Sequence, residues 1–100
     1  MPRTEPSRTL ARQLLRAGTS IGANVQEARN ASSKKEFTYL MNVARREAGE
    51  TGYWLRLIAD SKLVKPDRLE KIRTECDELV RLLSALVKKS SARAKAVVRG

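Results

Sequence analysis

Histidine is absent from this 100-residue sequence, and with it the commonest general base and metal ligand. A single cysteine, Cys76, excludes an internal disulfide and the usual Cys-rich structural zinc sites. Aromatic residues make up only 4% of the chain, with 5 Gly and 3 Pro, and β-branched residues are sparse. A sheet needs such residues to fill its faces. No apolar run approaches the roughly 20 residues that span a bilayer. Met1-Pro2-Arg3-Thr4-Glu5-Pro6 has none of the apolar core of a secretory signal. Neither a P-loop nor a dinucleotide-binding glycine fingerprint occurs. These absences point to a soluble, cytoplasmic, non-catalytic protein with no metal or cofactor.

What is abundant is Leu, Ala, Arg, Lys and Glu, the residues that lose least on entering a helix. The expected class is all-α, in one domain. Leu10, Leu14, Ala17, Ile21, Val25 and Ala28 recur every three or four residues and predict a first helix over about 7–31, with Ser7 as its cap. Gly18 and Gly22 weaken that helix and are read as a close helix crossing. Ser33-Lys34-Lys35-Glu36 is a capping box that opens a second helix, over about 33–61. Its seam is Phe37, Met41, Ala44, Ala48, Thr51, Leu55 and Ile58, spaced as a heptad. A neighbouring row is Leu40, Val43, Glu47, Glu50, Trp54 and Leu57, so two acids interrupt an apolar stripe. Pro66 suits the first turn of a third helix, over about 66–90, followed by Asp67 and Glu70 at its positive end. Its seam is Leu69, Ile72, Cys76, Leu79, Leu83 and Leu86, widened by Val80, Leu82 and Val87.

Short connections imply an antiparallel, up-down helical bundle. Three helices cover this much apolar surface poorly, and an uncovered stripe favours a partner, most simply a second copy.

The net charge is +10, from 21 Lys and Arg against 11 Asp and Glu, which favours polyanionic partners: RNA, DNA or an anionic membrane surface. Residues 88–100 contain Lys88, Lys89, Arg93, Lys95 and Arg99 and no acid. Residues 91–100 are expected to be a disordered basic tail. Lys34, Lys35, Arg45 and Arg46 either touch phosphates or form a solvated face, as do Lys88, Lys89, Arg93 and Lys95. Glu47 and Glu50 share one helix face at i, i+3. A di-iron site would need Glu-x-x-His, so the expected partner is an arginine, from among Arg12, Arg16 and Arg46. Asn24, one turn after Ser20, either fixes oligomer register or faces solvent. Tyr39, Tyr53 and Trp54 either stack on bases or fill a core, and helical spacing favours the core.

The run Gln13-Leu14-Leu15-Arg16-Ala17-Gly18-Thr19-Ser20-Ile21-Gly22-Ala23-Asn24 resembles a signature of a bacterial four-helix-bundle family, which includes proteins encoded in intervening sequences of 23S rRNA genes. Ser33–Phe37 and the run Glu47-Ala48-Gly49-Glu50-Thr51-Gly52-Tyr53-Trp54-Leu55-Arg56-Leu57-Ile58 resemble its second signature. The resemblance implies a four-helix protomer that assembles into a homopentamer. It carries no catalytic residues, and it makes Ser20, Asn24, Glu47, Glu50, Tyr53 and Trp54 structural positions. Related proteins include a basic barrel that works with a reverse transcriptase and nucleic acid, so a protein partner is also implied. Family members carry a further helix before the Gln-Leu-Leu-Arg segment. Met1–Thr4 looks like the loop after that helix, so the expectation is a start upstream of Met1 or a truncated copy.

Two functions from different classes follow. One is a non-catalytic oligomeric scaffold that binds RNA or DNA through a basic surface. The other is a purely structural protein–protein module whose charge serves solubility.

Overall fold

The computed structural model describes the backbone of residues 5–99 and the side chains of residues 5–92. It consists of three helices: α1 (Glu5–Arg29), α2 (Lys34–Asp60) and α3 (Pro66–Arg99). Among the described residues there is no strand, and no helix is long and apolar enough to cross a membrane.

The ends follow local chemistry, with three departures from the sequence reading. Pro6 sits in the first turn of α1, where a missing N–H costs nothing. Ser7 is therefore inside the helix and buried, not its cap. At α2, Ser33 is extended (φ −146°) and its hydroxyl accepts the Glu36 N–H at 3.0 Å. Glu36 reaches one residue further back than a standard capping box: its Oε2 accepts from the Ser32 N–H at 3.2 Å and the Ser32 hydroxyl at 2.9 Å. After α2 the chain turns through Lys62, in the left-handed region at φ 59°. Pro66 opens α3 with Asp67 in its first turn. The third departure is the largest. α3 continues past Ser90 to Arg99, where an irregular tail over 91–100 was expected. Ser91–Arg99 contains neither Gly nor Pro and is rich in Ala, Arg and Lys, so nothing local stops a helix that already has momentum from α3.

α2 lies in the middle. α1 and α3 each pack on it in antiparallel fashion and make no close backbone approach to one another. The molecule measures 56 × 20 × 15 Å, a long, thin array. The predicted seam of α2 is the core: Met41, Ala44, Ala48, Leu55 and Ile58 are all buried. At one end it meets Ala28 of α1 and Leu83 of α3, with Ile21, Val25, Phe37 and Leu79 packed around them. At the other end Leu55 and Ile58 meet Leu69 and Cys76, flanked by Leu10 and Leu14. Cys76 is buried as its seam position requires, its thiol donating to the Ala48 carbonyl at 3.3 Å.

The α3 seam is buried only where α2 reaches it. Leu69, Cys76 and Leu83 are covered, whereas Ile72, Leu82 and Leu86 are 47, 58 and 37% exposed. Leu15 of α1 is 67% exposed. The expected close crossing at Gly18 and Gly22 is not present, because a Cβ on either would meet no atom within 4 Å. Both glycines are exposed, on the flank of the α1 seam.

Gly18→Ala and Gly22→Ala should each raise helix stability by up to ~1 kcal/mol in the isolated protomer, since both sites are open and mid-helix. Thermal melts of the single and double variants read this directly. A drop in melting temperature would show that a packed surface covers this side of α1 in solution.

Candidate functional site

Between α1 and α2 the apolar packing gives way to a polar band. Arg16 projects from α1 between two acids one turn apart on α2. Its Nη2 bonds Glu50 Oε1, and its Nη1 lies 3.5 Å from Glu47 Oε2. Trp54, one turn further along, donates from Nε1 to the same Glu50 oxygen at 3.1 Å. Glu47 Oε2 is buried and has an ion-pair partner in Arg16 but no hydrogen bond. Of the three arginines that could have met the acids, the structure selects Arg16. Arg12 reaches Glu5 instead, at 3.6 Å between exposed side chains.

The electrostatics follow from these contacts. Glu50 titrates below the usual carboxylate value because the Trp54 indole and the Arg16 guanidinium both donate to its charged form. The bond to Glu50 likewise lifts Arg16 above its ordinary value, with partial desolvation opposing. The Cys76 thiol is pushed up by burial, with Asp77 adding to it, so it stays protonated and unreactive.

The other signature residues lie along the same helix pair. Asn24 is half-buried and donates to the Ser20 carbonyl at 2.8 Å and, more weakly, to its hydroxyl at 3.3 Å. Its side-chain N–H group is thus engaged within its own helix. Tyr53 stands edge-on to Trp54, ring centroids 5.0 Å apart, but points outward and is 50% exposed. Tyr39 is 66% exposed. The expectation that all three aromatics fill a core thus holds in part for Trp54 and fails for both tyrosines. Helical spacing alone does not separate a seam position from its neighbour 100° away.

The basic residues divide into two sets. Lys34 and Lys89 join Arg29 around a hollow of about 570 Å³ between the end of α1, the start of α2 and the late part of α3, with Phe37 and Leu86 inside it. Arg45 and Lys88 lie on the other side, in the groove between α2 and α3, with Arg56, Arg73 and Arg81. Lys35 and Arg46 are exposed and line neither. Arg93 and Lys95 lie outside the described side chains. The sequence reading did not single out Arg29, Arg56, Arg73 or Arg81. A signal was available for the last three: Arg45 and Arg56 belong to one row of α2, and Arg73, Arg81 and Lys88 to one row of α3. Among the described residues no group of three or more His, Cys, Asp or Glu side chains is placed to hold a metal ion.

The family described as 23S rRNA-intervening sequence protein matches residues 2–85, which include the whole polar band. The chain belongs to this family. A crystal structure of a protein with unknown function from the S23 ribosomal protein family, from Bacteroides thetaiotaomicron, is similar to it: 39% identity over 79% of this chain and 73% of that one, with a TM-score of 0.76. No curated protein matches the chain. Within the 23S rRNA-intervening sequence protein family this member shows three helices among its described residues, where the resemblance implied four.

The depressed Glu50 group makes a pH prediction for this family member. Its contribution to stability is complete above the ordinary carboxylate value of about 4.5 and is lost as pH falls through the lower folded-state value. Glu50→Gln should therefore lower the melting temperature at pH 7, and the gap to the parent should close progressively below about pH 4.5. A gap that stays constant to pH 2 would mean that the Glu50 charge adds nothing to folding.

Proposed function

We propose that this chain is a non-catalytic, oligomeric helical-bundle scaffold, acting in the cytoplasm, that binds RNA or DNA through its basic surface. The observation that carries this reading is how the charges are spent. The two half-buried acids are taken up by Arg16 inside the α1–α2 interface, while Arg45, Arg56, Arg73, Arg81, Lys34, Lys88 and Lys89 form no ion pair among the described residues. A chain of net charge +10 in which Arg16 already engages two of the eleven acids presents a field that favours a polyanion. Non-catalysis is supported by the missing histidine and by the engagement of Glu47 and Glu50 with Arg16.

Self-association is supported by uncovered apolar surface. Ile72, Leu82 and Leu86 stand exposed on α3, α1 offers Leu15 beside two open glycines, and α1 and α3 do not close on one another. A further helix over that gap, supplied by another copy, would give the four-helix arrangement that the resemblance implies, with five copies as its expected number. The same exposed surface, independent of charge, favours the second reading, a structural module that assembles with protein alone.

Light scattering at moderate salt should return a discrete oligomer, and a monomer across the micromolar range would remove the assembly half of the proposal. Binding to a labelled RNA should be measurable at low salt and fall steeply as salt rises. Absence of RNA and DNA binding at low salt would leave the protein–protein module.

A further inference from the structure

The groove between α2 and α3 is a long cationic concavity. Two hollows of about 510 and 550 Å³ follow one another along it. Five cations line them, Arg45, Arg56, Arg73, Arg81 and Lys88, against one acid, Asp77. None of the five is in an ion pair among the described residues; Arg45 donates to Asn42 Oδ1 at 2.8 Å, which holds its guanidinium along the groove wall. Gly49, Gly52, Val80, Ser84 and Val87 line the groove between the cations. Tyr53 stands at the rim, half exposed, its ring fixed edge-on by Trp54.

We infer that this groove holds the phosphodiester backbone of a single-stranded nucleic acid, with Tyr53 offering a face to an unstacked base. The inference rests on the proposed nucleic-acid reading and gives it a place. Three physical features select a single strand. Packed helices lie ~8–10 Å axis to axis, so the channel between their outer faces is narrower than a duplex, whose major groove alone is about 12 Å wide. The cations run lengthwise: Arg73 to Lys88 spans about 22 Å of α3, a line of charge rather than a disc. An exposed aromatic ring beside a cationic track is the pairing that sequence-tolerant single-strand sites use, because every base presents a π-face. Arginine supplies four of the five cations, and its planar fork suits phosphate oxygens better than a point charge does.

The test is fluorescence anisotropy with a labelled single-stranded oligonucleotide of about 20 nucleotides, longer than the ~4–16 that single-strand modules cover, and with the matching duplex. The groove variant combines Arg56→Gln, Arg81→Gln and Lys88→Gln. The control removes the same charge elsewhere, through Arg29→Gln, Lys34→Gln and Lys89→Gln. All six positions are exposed, and circular dichroism melts establish that both variants fold. The groove variant should bind the single strand about tenfold or more weakly, with a log–log salt slope shallower by about 2, at ~0.7 per lost phosphate contact. The control should weaken binding less than about twofold. Tyr53→Leu should weaken binding about tenfold with its salt slope unchanged, since stacking releases no counterion. Equal losses in groove variant and control would overturn the groove assignment and leave diffuse binding by the basic surface. Duplex affinity equal to single-strand affinity would overturn the choice of strand. No binding by the parent at low salt would overturn the nucleic-acid reading itself.

Discussion

α1 and α3 both pack on α2 and do not close on each other, so one helix must carry two interfaces at once. It does so through two clusters of different make-up, one built around small residues and one around larger ones. Ala44 and Ala48 are fully buried in the middle of α2, clustered with Ala28 and Leu83, while Leu55 and Ile58 fill the other end against Leu69 and Cys76. Interaxial distance depends on the side chains at the contact, and alanines let helices approach most closely. The same geometry leaves the gap between α1 and α3 unclosed. The exposure of Ile72, Leu82 and Leu86 is therefore a consequence of the central role of α2, not an independent oddity of α3.

The polar band is the second consequence. The α2 face that meets α1 carries Glu47 and Glu50 in an otherwise apolar row, and half-buried acids need compensation. Arg16 supplies it for both, and the Trp54 indole adds a donor to Glu50. Two charges that could have balanced surface cations are thereby drawn into the α1–α2 contact. Among the surface cations, Arg29, Lys34 and Lys89 gather at a hollow at one end of the bundle, and Arg45, Arg56, Arg73, Arg81 and Lys88 along the α2–α3 groove.

Much of the fold was legible in the chain. The heptad spacing from Phe37 to Ile58 marks the residues that become the core, the Ser33–Glu36 cap starts α2 within one residue of its observed position, and Pro66 opens α3. The place of Glu47 and Glu50 in an apolar row pointed to an arginine partner without saying which. Where the reading failed, the missing information was non-local. Gly18 and Gly22 look like a crossing point, yet no neighbouring helix comes within reach of either. Ile72 and Leu86 follow the same spacing as Leu69 and Leu83, yet only the latter reach α2.

The sequence by itself determined the class, the three helices and the central seam, because helix propensity, capping and 3.6-residue periodicity act over a few neighbouring residues. It also set the sign and size of the charge. Tertiary structure alone decided that Arg16, not Arg12 or Arg46, meets the acids 31 and 34 positions later in the chain, at Glu47 and Glu50. Tertiary structure also decided that Arg45 and Arg56 of α2 share a groove with Arg73, Arg81 and Lys88 of α3. The reason is geometric. Each residue's place on its own helix is written locally, but which face meets which neighbour depends on how three helices rotate to bury the most apolar surface together.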